Sequence, residues 1–384
     1  MLGCFTGSFS MTSKREGPTI TTVNDLVTFA GGQIPGSYSD LSDVLDVYDV
    51  NSDKIIDAKR LRTPRFRMVS AVHGTYLFLA GGFQVIPNGD YYFKSNVLEV
   101  FDLSSNLTWS ITLNSEIHSA AVTVGSKVMF YSQGTRFTLV DIYDVDTKTL
   151  EFTIKRKYHA AAVVGDNAYF ISNYQMDVYS ATNHTWSSIV FLEEIKENIL
   201  TAMTISDNIY IITTTSIISI NEETADKVTE IKFTFGYVGL HALVGTTIYL
   251  TVGDTFNAIS TVYTYDTSMK QQISWNFAPF SFGASVNVAV HANKLYITGW
   301  KANNGREEST DVAIYDTSNS RHRVIHKPGF SIQTMYEYQD KLFLVDMFMD
   351  SKPFIKMYDL ILNTWREWNI PDTRQNILIT AANN

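Results

Sequence analysis

The sequence predicts an all-β chain: a β-propeller of four-stranded blades, eight in the main reading and seven in the alternative, with the ring closed by pairing of N- and C-terminal strands. Two observations carry this. One unit recurs about eight times: an apolar strand, a turn, a second apolar strand, and a third strand ending in an aromatic residue and an Asp. And no segment keeps a 3.6-residue period beyond two turns. The best helical stretch, 189–197, reads as a connector.

The ends of the third strands give the ruler. They read Tyr48-Asp49, Phe101-Asp102, Tyr143-Asp144, Tyr179-Ser180, Ile220-Asn221, Tyr265-Asp266, Tyr315-Asp316 and Tyr358-Asp359. From 48 to 358 is 310 residues over seven intervals, about 44 per unit, within the range for propeller blades. Ahead of each mark lies a short run rich in β-branched and aromatic residues, such as 26–30, 76–80 and 168–171, bounded by turn-forming residues. A further run precedes it across a tight turn, as in 69–72 before His73-Gly74 or 160–164 before Gly165-Asp166-Asn167, which is hairpin chemistry. A Trp often follows the mark (Trp109, Trp186, Trp275, Trp365) and opens a fourth, outer strand, at 109–113 and 365–370. A four-stranded sheet cannot bury both faces alone, so neighbouring blades stack around an axis. The segment 376–384 reads as one more inner strand and competes with 19–23 for the first blade, and a blade shared between the two ends would remove an exposed edge.

Phe29-Ala30-Gly31-Gly32 and Leu79-Ala80-Gly81-Gly82 resemble the double glycine of the kelch repeat. So does the order of parts in the second unit: Pro64-Arg65, a strand, Gly74, the run 76–82, Val100-Phe101-Asp102 and Trp109. His118 and His159 fall where kelch repeats often carry a His. The likeness is strong in the first two units and diffuse after them. It implies a diverged kelch-type propeller, and for such a scaffold the binding of a protein or peptide partner.

Composition bounds the rest. The 384 residues divide into an expected flexible tail at 1–17 and a propeller at 18–384. No apolar run approaches the ~20 residues of a membrane span, so no membrane insertion is expected. The net charge of −9 argues against a nucleic-acid surface. A single cysteine, Cys4, permits no internal disulfide and points to a cytoplasmic setting. Two sequons, Asn106-Leu107-Thr108 and Asn183-His184-Thr185, are the sole support for a surface glycan-binding module.

No catalytic signature emerges. No zinc-protease pattern, phosphate-cradling loop or nucleophile elbow is present, and no cofactor is expected. The main reading is therefore a non-catalytic scaffold, not an enzyme, binding a protein or peptide through loops on one face. The long loops 33–43, 83–94 and 300–311 place Tyr91, Tyr92, Phe93, Trp300 and Arg306 there, joined by Arg65 and Arg67 before an inner strand. The alternative is a carbohydrate-active or isomerising enzyme using the axial pocket. Its rim residues would be His118, His159 and His241, placed at equivalent points of three blades, with Glu337 and Arg67.

Overall fold

The computed structural model describes residues 18–368, apart from 35–39, 53, 86–91, 106, 116–119, 132–136, 222–226, 234–236, 254–260, 277–281, 302–306, 309–310, 319–320, 327–331, 339–340, 347–354 and 362–363. The described residues form strands and turns and no helix. Eight consecutive segments each fold into one antiparallel sheet: blade 1 (19–60), blade 2 (69–112), blade 3 (120–156), blade 4 (160–190), blade 5 (199–232), blade 6 (237–276), blade 7 (282–326) and blade 8 (332–368). In each, four strands meander in sequence order. Blade 2 adds a small hairpin, Phe83–Val85 with Tyr92–Lys94, between its second and third strands. Blade 7 adds Glu307–Glu308, paired to Trp300 and Lys301.

The strand pattern follows from where each strand sits. Second strands such as Lys127–Tyr131 (KVMFY) are buried along their whole length, because blade 2 covers one face and blade 4 the other. Outer strands such as Lys54–Arg60 (KIIDAKR) alternate between exposed and half-buried residues. The turn joining first to second strand needs a left-handed residue. Gly74, Gly125, Gly165 and Gly245 supply it in four blades, and Asn24, Ser206 and Ala292 stand in the same place in three others.

The core is distributed between blades. One apolar cluster joins blades 1 and 2 (Val47, Leu79), another blades 2 and 3 (Phe78, Tyr143), and others blades 3 and 4 (Val140, Phe170), 4 and 5 (Ile171, Ile211) and 5 and 6 (Ile212, Leu250). Tyr249 packs on Tyr315 between blades 6 and 7, and Ile314 and Leu344 share a cluster between blades 7 and 8. The last joint is Phe343 and Met357 of blade 8 against Phe29 and Tyr48 of blade 1. The Phe343 ring lies 6.2 Å from Phe29 and 5.7 Å from Tyr48, and Lys341 Nζ donates to the Val50 carbonyl at 3.1 Å. The ring is closed.

Several expectations change in detail. Blade 1 and blade 8 each take four strands from their own segment. The contact described between the two ends is side-chain packing with the Lys341 hydrogen bond to the Val50 carbonyl, and the strand expected at 376–384 lies outside the described residues. The stretch read as helical begins inside a strand, Thr185–Val190, whose last two residues, Ile189 and Val190, pair with Met176 and Gln175. The outer strands begin one residue earlier than expected, at Thr108 and Thr364.

Candidate functional site

The face on which the chain enters each first strand also carries the loops between second and third strands. Its best-defined part lies between blades 1 and 2 and is built on Arg65. The segment 61–68 enters blade 2, and the Arg65 side chain is wholly buried beneath it. Its Nη1 donates to the carbonyls of Gly81 (2.8 Å) and Val97 (2.7 Å), and its Nη2 to Glu99 Oε1 (2.9 Å). The other Glu99 oxygen accepts the Arg62 amide at 2.8 Å. Burial pulls the guanidinium pKa down, and Glu99 opposes this. The fork suits Arg because its flat array of donors meets a carboxylate and two carbonyls at once. Arg65 is therefore not a surface contact as the sequence suggested; it pins the loop.

The double glycines exist for the same loop. The amide of Gly32 donates to the Arg65 carbonyl at 2.9 Å. A Cβ on Gly31 would lie 2.1 Å from that carbonyl oxygen, and one on Gly82 would lie 2.6 Å from the Phe66 oxygen. Both glycines also have positive φ, +61° and +84°. The chain crosses too closely for any side chain.

Above this floor stands an aromatic wall. Phe66 and Phe83 exchange backbone hydrogen bonds, and their rings lie 5.5 Å apart. The Tyr92 ring meets Phe66 edge-on at 5.0 Å, and its hydroxyl accepts from Gln33 Nε2 of blade 1 at 2.9 Å. The Arg67 guanidinium sits 5.8 Å from the Phe66 ring centroid. Its backbone is left-handed, φ 53°, a conformation that a non-glycine residue holds only where its surroundings enforce it. The structure thus brings Arg67 and Tyr92 together. Phe93, also exposed, falls on the other side of the small hairpin by strand alternation. Phe66, Phe83 and Gln33 were missed from sequence, and the available signal was Phe66 set between Arg65 and Arg67 and Phe83 directly after Gly81-Gly82.

His159 stands on the same face, at the entry to blade 4. It is half-buried, and its amide donates to the Ile171 carbonyl at 2.8 Å. Burial first, and the Lys157 charge second, hold the imidazole below its ordinary pKa, so it is neutral near pH 7. Its neighbour Tyr158 donates to the buried Asp177.

Of the remaining expected residues, none that the structure describes joins this cluster. Tyr91, His118 and Arg306 lie outside the described residues. Trp300 is in the second strand of blade 7, opposite Glu308. His159 and His241 do not share one register. His159 precedes Ala160, whereas His241 comes after Leu240, the position equivalent to Ala160. His159 stands six residues before the turn glycine Gly165 and His241 four before Gly245, so the two differ by two steps along the strand. Glu337 pairs with Leu342 beside the hairpin turn, at the end of its strand away from this face. Of the two sequons, Asn183 sits in an exposed turn and Asn106 lies outside the described residues. Among the described residues no three His, Cys, Asp or Glu side chains gather to hold a metal.

No protein family and no curated protein matches the chain. The kelch likeness thus has no family match behind it. Among solved structures, the chain is similar to one described as "Dihydro-heme d1 dehydrogenase NirN in complex with DHE". The two align with a TM-score of 0.66 at 8% identity, covering 94% of this chain and 77% of that one. This corrects the main functional expectation. The non-catalytic scaffold and the reading "not an enzyme" are set aside, because a ring of this form is found in a dehydrogenase. At 8% identity the likeness reaches the architecture alone: the chain is a β-propeller.

Proposed function

We propose that the chain is an enzyme of the carbohydrate-active or isomerising kind, acting on a small ring-shaped organic substrate where the first strands begin around the axis. The observation that carries this reading is the wall of Phe66, Phe83 and Tyr92 with Arg67 held over it in a constrained backbone. A sugar ring presents a face of C–H groups that packs on an aromatic ring, while its hydroxyls or a carboxylate take hydrogen bonds from a guanidinium. Such a site has its polar groups few and fixed. His159, neutral near pH 7 and on the same face, has the protonation state of a general base for moving a proton beside a carbonyl. The name of the similar propeller, a dehydrogenase in complex with DHE, supports chemistry on a bound organic molecule. The order Pro64-Arg65, Gly74, Gly81-Gly82 supports placing the chain among diverged kelch-type propellers.

Calorimetry against neutral sugars, uronic acids and keto sugars tests the binding, and deuterium uptake at substrate carbon tests the chemistry. Arg67→Ala and Tyr92→Ala are each expected to weaken binding by about tenfold or more, with little change in melting temperature. His159→Gln is expected to abolish deuterium uptake while leaving binding intact. Binding that ignores both wall substitutions, or no binding by any member of the panel, overturns the reading.

A further inference from the structure

On the face that carries the candidate site, the edge of blade 4 bears a patch of exposed apolar side chains. Tyr174, between the second and third strands, is 58% exposed, Val190 at the end of the outer strand 69%, and Leu192 just beyond it 93%. The three are neighbours. Val190 pairs with Gln175, next to Tyr174, and the Phe191 amide donates to the Tyr174 carbonyl at 2.9 Å. Phe191 turns inward to fill the joint between blades 4 and 5, which leaves Val190 and Leu192 on the outside. Apolar residues scattered singly over a surface need no explanation, but a contiguous group rimmed by charge marks a place where another protein docks.

The charges on the two flanks have opposite sign. The segment 155–159 crosses the joint between blades 3 and 4. It reads Lys155-Arg156-Lys157 before Tyr158, whose buried ring lies 5.3 Å from Phe170. Lys157 is exposed. The segment 191–198 crosses the joint between blades 4 and 5, and its Ile195 amide donates to the Asn173 carbonyl at 2.8 Å. It carries Glu193, Glu194 and Glu197 against one cation, Lys196, and Glu193 and Glu194 are exposed. The Glu194 carboxylate is hydrogen-bonded to the Tyr174 hydroxyl, which ties the acidic flank to the apolar middle. Across the edge of one blade the order is therefore cation, apolar patch, anion. A two-fold axis through the middle of such a surface lays apolar on apolar and sets each charged flank against its opposite, which is the self-complementarity that an isologous contact requires.

We infer that the occupant of this patch is a second copy of the chain. Tyr174, Val190 and Leu192 of the two copies meet at the axis, and Lys157 of each copy faces Glu194 of the other. Three exposed side chains and their flanks make a small interface, so the dimer is weak and depends on concentration. This assignment is independent of the enzymatic reading, since it uses none of the residues of the aromatic wall.

Sedimentation velocity on the full chain over about 1 to 300 μM tests it. The mass is expected to rise from 43.3 kDa toward that of a dimer, and to fall back when salt is raised. Leu192→Asp, Lys157→Glu and Glu194→Lys change exposed residues, and each is expected to weaken association by about tenfold or more. The decisive sample is an equimolar mixture of Lys157→Glu with Glu194→Lys. Each variant alone sets like charges together twice, whereas a mixed pair restores both opposite-charge contacts, so the mixture should associate within about threefold of the parent. A monomer at every concentration would leave the patch to a different protein and overturn the inference. So would a dimer indifferent to Leu192→Asp, which forms through another surface, or a mixture no better than its components.

Discussion

Asp102 shows what one side chain does for a blade. It ends the third strand of blade 2 and turns back into its own corner. Thr75 Oγ1 donates to it at 3.1 Å, the Ser104 amide at 2.9 Å and the Ser104 hydroxyl at 2.7 Å, and Ser105 donates to its other oxygen. Burial raises its pKa, but these donors outweigh burial and bring it to about 2. Asp49, Asp144 and Asp266, at the same point of blades 1, 3 and 6, are shifted down as well. The sign follows. A carboxyl whose pKa is lower in the folded than in the unfolded chain stabilises the fold above the unfolded value, near 3.9, and that contribution disappears as pH falls through the folded value. Denaturant titrations from pH 5 to pH 2 should therefore show stability falling mainly below about pH 4. Asp102→Asn should be less stable than the parent at pH 7 and should show a shallower fall across that window.

At the level of elements, the segments that enter the first strands decide how blades are joined. Arg65 is the clearest case, because its guanidinium bonds within blade 2 while its backbone carbonyl takes the Gly32 amide of blade 1. Arg65→Ala would leave Glu99 buried without its cation and should cost about 3–5 kcal/mol in denaturant unfolding. Arg65→Ala with Glu99→Gln should recover part of that loss, since no charge then remains unpaired. Sequence reading found Arg65 but misjudged it. A Pro-Arg in a loop reads as exposed charge, and only the closeness of the Gly31-Gly32 backbone shows that the loop lies on top of the side chain. The aromatic wall was half legible for a related reason. Tyr92 and Arg67 belong to loops whose length and residue types single them out, whereas Phe66 and Phe83 meet through a bridge between two segments that no local pattern records. His159 and His241 show the limit of matching by eye: measured from the turn glycines Gly165 and Gly245 they stand two steps apart along the strand, and even one residue of slip moves a side chain to the other side of its strand.

For the whole molecule, the repeat was legible because each blade is one run of sequence. The ruler from Tyr48-Asp49 to Tyr358-Asp359 marks eight third strands, and among the described residues each lies in a four- or five-stranded sheet of its own. Closure was less legible, since whether two ends share a strand depends on contacts more than 300 residues apart, such as Phe343 with Phe29. That joint is testable. Phe343 is fully buried, and Phe343→Ala should cost about 3–5 kcal/mol, read by chemical denaturation. The arrangement of consecutive blades also bears on how the protein is made. Every hydrogen-bonded ladder described joins stretches close together along the polypeptide, so no sheet waits for a distant partner to be synthesised. A nascent chain leaving the ribosome is thus free to build one spoke after another, each new spoke shielding the greasy flank of the last, until the final one swings home against the first.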